Sequence, residues 1–111
     1  MTEPPATTGD FPEAQATVFL VGIGGIGMSG LAQYLAARGF TVAGSDRHLD
    51  GPGREDLLDK LRHMGIAVYP QDGSGPRHTR PAAIIASAAV EATNPDFQAA
   101  PDIPRFSRAT A

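Results

Sequence analysis

The chain predicts an α/β fold: a Rossmann-like parallel sheet of about five strands, with helices on both faces of a single domain. Three observations carry that expectation. Short apolar, β-branched runs alternate with helix-like stretches along the chain, the pattern of parallel strands joined by right-handed crossovers. The first apolar run ends in the glycine-rich turn "GIGGIG", with a helical pattern directly behind it. At 111 residues the chain is long enough for one hydrophobic core and too short for two.

Residues 1–15 hold three prolines and small polar side chains, with almost nothing to bury, and read as a flexible tail. The folded unit is expected over residues 16–108, with 109–111 a stub. "TVFLVG" from Thr17 is a strand of the kind buried on both faces. Ile26 to Arg38 is the first helix, with Leu31, Tyr34 and Leu35 facing the core and Gly39 at its stop. "TVAGS" is a second strand, weakened by Gly44.

After the turn-rich "RHLDGPG", residues 54–64 carry Leu57, Leu58, Leu61 and Met64 as an apolar stripe. Glu55 and Asp56 fall in the first turn, where the helix dipole favours negative charge, and Gly65 ends the helix. "IAVY" is the third strand, "PQDGSGPRHTRP" a loop, and Ala82–Ala86 the fourth strand. In "NPDFQAA" Asn94 caps a short helix with Pro95 at its first position. "IPRFS" is the fifth strand.

Charge and composition exclude several functions. The net charge of -3, from 9 basic and 12 acidic side chains, leaves no basic footprint for nucleic acid or a membrane surface. Cysteine is absent, so there is no disulfide framework, thiolate chemistry or cysteine-ligated metal, which fits a cytoplasmic protein. The N-terminus has neither the basic start nor the apolar core of a secretory signal.

Gly22, Gly24 and Gly27 match G-x-G-x-x-G between a strand and a helix, and each has a separate task. Gly22 permits a tight exit from the strand. Gly24 removes a side chain that would hold a phosphate off the backbone. Gly27 lets the helix lie close on the sheet, and Gly30 extends that contact. Gly25 widens the bare surface. The amides of residues 24–28 then face open space at the positive helix end, a site for a diphosphate. Asp46, at the tip of the second strand, is placed to accept ribose hydroxyls. On the bland reading the glycines serve packing alone and Asp46 is a solvated turn residue.

From "GIGGIGMSGLAQYLAARGFTVAGSD" onward the chain resembles the N-terminal domain of the Mur ligases, nearest the branch that adds alanine to UDP-N-acetylmuramic acid. The likeness rests on Gly22 to Gly30, on Gly44–Asp46, on Ser87, on Asn94–Asp96 and on Ile103–Pro104. Met28–Ser29 after the glycines is more specific than the glycine spacing itself. The resemblance implies a site for the UDP part of UDP-N-acetylmuramic acid. The backbone of Gly24, Gly25, Ile26 and Gly27, continuing into Met28, would face the pyrophosphate. Ser29 would add a hydroxyl, Ser45 and Asp46 would lie near the uridine, and Ser87 would reach the same crevice.

The departures are Gln71-Asp72, where the family often has Gly-His, and Ala88 for the second serine of S-S-A. Ligase chemistry also implies ATP, Mg²⁺ and a P-loop. No glycine–lysine pair occurs and Lys60 is the only lysine. The ATPase and C-terminal ligase domains are therefore expected to be missing, and no cofactor or catalytic residue is assigned to this stretch.

Other polar residues have simpler readings. His48, His63 and His78 fall in a loop, a helix and a loop without metal-ligand spacing, so no metal site is assigned. Asp50, Glu55, Asp56 and Asp59 suit a solvated helix face. Arg47, Arg77, Arg80, Arg105 and Arg108 read as surface or junction charges. Ser29, Ser45 and Ser87 lack a spaced histidine and acid for nucleophilic catalysis. Two other functions stay open: an NAD(P)-binding module of an oxidoreductase or sensor, and a degenerate, non-catalytic interaction domain.

Overall fold

A computed structural model of the chain describes residues 15–25, 27–47, 55–87, 90 and 93–107. The expectations for the N-terminal tail, Ile26, His48, Asp50, the 51–54 turn, Ala88, Arg108 and the C-terminal stub lie outside those residues.

Among the described residues nine elements follow in chain order: β1 (Thr17–Val21), α1 (Met28–Ala37), β2 (Thr41–Asp46), α2 (Glu55–His63), β3 (Ala67–Pro70), α3 (Ser74–Thr79), β4 (Ala83–Ala86), α4 (Pro95–Ala99) and β5 (Arg105–Ser107). Among the described residues the five strands form one sheet in the order β3-β2-β1-β4-β5, and every pairing is parallel. The Rossmann-like α/β expectation holds.

Side-chain alternation along β1 builds both faces. Val18 and Leu20 join Met28, Ala32 and Leu35 of α1 and Leu61 of α2 in one core cluster. Phe19 and Val21 join Phe97 of α4 in the other. Val18, Phe19 and Leu20 are wholly buried, each contributing about 1.5–3 kcal/mol of burial for a large side chain. Gly75 of α3 lies so close to Phe19 that an added Cβ would sit 2.5 Å from its ring. Thus α1 and α2 cover one face, and α3 and α4 the other.

Two helices end by the same local device. Gly39 (φ 100) and Gly65 (φ 81) are left-handed. Gly39 donates to the Ala36 carbonyl and Phe40 to that of Leu35; Gly65 and Ile66 repeat the pattern onto Arg62 and Leu61. This is the Schellman closure that glycine makes easy. At α4, Asn94 accepts the Asp96 amide through its side chain, with Pro95 at the helix start, as expected.

Four expectations are corrected. The loop before β4 contains helix α3, so His78 is helical. Gly75 and Pro76 are poor helix formers, but packing on Phe19 overrides propensity. Tyr34 is 55% exposed; the buried stripe of α1 is Met28, Ala32 and Leu35, and Tyr34 is rotated off it. Its hydroxyl accepts from Arg38 Nη1 at 3.2 Å. Met64 is 40% exposed, because α2 ends at His63. Gly30 is exposed, and a Cβ there would meet open space, so it gives no close helix–sheet contact.

Candidate nucleotide-binding turn

The strand order reverses between β1 and β4: the chain runs outward through β2 and β3 on one side and to β5 on the other. The turn after β1 opens at the carboxyl end of the sheet beside that reversal, where open α/β sheets form their ligand crevice. Ser87, half-buried, directly follows β4 across the reversal. Ser45 and Asp46 end β2, with Ser45 paired to Val21 in register. The sheet therefore gathers Gly22–Gly25, Ser45, Asp46 and Ser87 at one end, although they are far apart in sequence.

The end of β2 holds the turn. Gly22 and Ile23 both donate to the Ser45 carbonyl at 2.8 Å, and Gly24 donates to Asp46 Oδ2 at 2.8 Å. Gly25 donates to the Gly22 carbonyl at 2.9 Å, and Met28 to that of Gly25 at 3.1 Å. Gly22 (φ 79) and Gly27 (φ 82) occupy the left-handed region, open to glycine at little steric cost. Gly27 is thus needed for its own backbone conformation as the N-cap of α1.

This geometry corrects one expectation: the amides of Gly24, Gly25 and Met28 already have partners. The physical reason is that the donors of a tight turn must be satisfied in the absence of ligand, and Asp46, only 5% exposed, supplies a carboxylate for one of them. The Met28 side chain is buried against Ala32 and Leu35, which leaves its main chain facing the turn. Ser29 is half-buried in the first turn of α1.

Ser45 is wholly buried, and its hydroxyl donates to Asp96 Oδ2 at 2.5 Å. That oxygen belongs to a polar cluster which sequence reasoning missed. Asp96, also wholly buried, accepts the Gly73 amide on Oδ1 at 2.9 Å. Burial pushes its carboxyl above the usual range, outweighing the hydrogen bonds from Ser45 and Gly73 that act the other way. Gln71 Nε2 donates to Ser45 Oγ at 3.4 Å. Its Oε1 accepts from Asn94 Nδ2 at 2.8 Å and from Arg47 Nε at 3.2 Å. The only sequence signal for this cluster is an acid in the first turn of an otherwise core-facing helix.

Gly44, read from the sequence as a weak point of β2 and part of the family motif, has a packing role that the sequence did not reveal. A Cβ there would lie 2.6 Å from the Leu20 carbonyl and 2.7 Å from Ile23 Cδ1, so the glycine is what lets the turn fold back over β2. Arg77 and Arg80 line a separate cleft of about 590 Å³, walled by Ala99 to Ile103. Among the described residues, no group of three or more His, Asp or Glu is arranged to hold a metal ion, and no helix is long and apolar enough to cross a membrane.

Comparison with known proteins agrees with the motifs. Residues 17–110 match the family described as "Mur ligase family, catalytic domain". The chain is 41% identical over 96 residues to the UDP-N-acetylmuramate–L-alanine ligase of Neisseria gonorrhoeae, covering 81% of this chain and 19% of that protein. It is 38% identical over 104 residues to the enzyme of the same name from Kineococcus radiotolerans, covering 90% of this chain and 21% of the relative. The chain thus spans about a fifth of the length of these relatives. Among solved structures, UDP-N-acetylmuramate-alanine ligase from Thermotoga maritima superposes with a TM-score of 0.69 at 28% identity, over 85% of this chain and 21% of that one. With the glycine turn, the reversal of strand order and these matches in agreement, the chain belongs to the Mur ligase family.

Proposed function

We propose that this domain binds the UDP part of UDP-N-acetylmuramic acid, as the N-terminal domain of an ATP-dependent ligase that joins the muramyl carboxylate to L-alanine in peptidoglycan synthesis. The observation that carries the proposal is the position of the Gly22–Gly27 turn, beside the reversal of strand order and at the N-terminal end of α1. Main-chain donors and the positive end of the helix dipole there favour a diphosphate. On binding, a phosphate oxygen takes the Gly24 amide and the Asp46 carboxylate turns to the ribose hydroxyls. Ser29 and Ser87 flank the crevice and supply hydroxyls.

The chemistry of amide formation lies with other domains. ATP and Mg²⁺, held by those domains, would supply the activation of the carboxylate by phosphoryl transfer with release of ADP, and the alanine amine would then displace phosphate; this stretch supplies no P-loop lysine for that chemistry. Its part is to hold the uridine end so that the muramyl carboxylate extends toward the ATP site. A cytoplasmic location fits such a substrate.

Isothermal titration of the chain with UDP, UDP-N-acetylmuramic acid, NADH and NADPH tests the reading. Saturable binding of the two uridine ligands without binding of the dinucleotides is the expected result. Binding of a dinucleotide alone would replace it with an oxidoreductase-type module, and silence toward all four with a non-catalytic interaction domain.

A further inference from the structure

We infer that Asp96 is a positioning residue for the glycine turn, acting through Ser45. Its two oxygens divide their work: Oδ1 takes the Gly73 amide and Oδ2 the Ser45 hydroxyl. Ser45 then faces two ways. Its side chain is tied to α4, while its carbonyl receives the amides of both Gly22 and Ile23. Gln71 touches the same hydroxyl from a second side, and Gln71 is itself tied to Asn94. A continuous hydrogen-bonded path therefore runs from the α3–α4 face of the sheet, through the end of β2, to the first two amides of the turn.

A carboxylate serving only the fold of α4 has no need of Ser45, since Asn94 already caps that helix. Taking Asp96 fully out of water is unfavourable unless each oxygen has a partner. The retained Ser45 bond thus fixes a strand end whose displacement would carry the turn with it. Binding sites built from backbone donors depend on such support, because small misplacements weaken every contact together. The effect on ligand rests on the nucleotide reading above; the effect on the turn does not.

The test uses the whole chain as Ser45→Ala, Asp96→Asn and the double variant, followed by ¹H–¹⁵N spectra and titration with UDP. Ser45→Ala leaves the Asp96–Gly73 bond and the Asn94 cap in place, so it reports on the link even where Asp96→Asn folds poorly. We expect the Gly22, Ile23 and Gly24 amide resonances to move in Ser45→Ala while that of Ala32 in α1 stays put. UDP affinity should fall about tenfold in each single variant and no further in the double, the non-additivity of residues acting along one path. Unmoved turn resonances, or losses that simply add, would overturn the inference. If the parent chain binds no UDP, the nucleotide reading fails, and the turn resonances still decide the coupling.

Discussion

Asp46 Oδ2 accepts the main-chain N–H of Gly24 at 2.8 Å, so the free domain keeps an anion of its own on the turn proposed to bind a diphosphate. The carboxylate is nearly buried and accepts from a main-chain donor of the crevice. On the proposed reading, a diphosphate and the carboxylate would compete for one amide, and the carboxylate would serve the complex only where a ribose hydroxyl takes its place as partner.

Asp46→Asn separates those two roles. Asparagine keeps an oxygen for Gly24 but loses the charge that strengthens a ribose hydrogen bond and repels a phosphate. UDP affinity should fall about tenfold, consistent with loss of one charge-assisted hydrogen bond, while pyrophosphate binds at least as well as before. Calorimetric titration of both ligands checks it; equal weakening of the two would reduce Asp46 to a scaffold of the turn.

Gly44 and Gly30 predict opposite outcomes for the same substitution. At Gly44 an alanine Cβ would fall within 2.8 Å of backbone and Ile23 side-chain atoms, so Gly44→Ala should destabilise the domain by about 1–3 kcal/mol through overpacking. At Gly30, exposed within α1 with open space around it, alanine should stabilise by about 0.5–1 kcal/mol through helix propensity. Urea unfolding of the two variants reads both signs.

Asp96 and Asp72 predict opposite pH dependences. Burial raises the Asp96 value above its ordinary 3.8, so the native state holds that proton more tightly than the unfolded chain. Its contribution is therefore full below 3.8 and is lost as pH rises through the native value. The advantage of the parent chain over Asp96→Asn should grow on acidification. At Asp72 the Ser74 hydrogen bonds lower the value from 3.8, so its contribution is present above 3.8 and fades as pH falls. The advantage over Asp72→Asn should shrink. Calorimetric melting between about pH 7 and pH 3.5, spanning the carboxylate range, distinguishes the two slopes.

Asn94 has two jobs that substitution can divide. Asn94→Ala removes both the cap on the Asp96 amide and the donor to Gln71, and should lower stability by about 1–2 kcal/mol. Asn94→Asp keeps the cap and loses the donor, so it should destabilise less than alanine does. Thermal unfolding of the pair ranks them.

What the sequence determined by itself was what neighbouring residues enforce on one another. The buried run of β1, the glycines of the turn, the stops at Gly39 and Gly65 and the cap at Asn94 follow from conformational freedom and hydrogen bonding within a few residues. The family likeness lay in those same short motifs. Tertiary structure decided the remainder. Helix α3 forms against its own composition because Gly75 can press on Phe19, and Gly44 is required because the Leu20 carbonyl and the Ile23 side chain both crowd it. Asp96 meets Ser45 across 51 positions of chain, and Asp46 meets Gly24 across 22. The physical reason is that side-chain chemistry states which partners a residue can accept, whereas the strand order alone sets which of them come within reach.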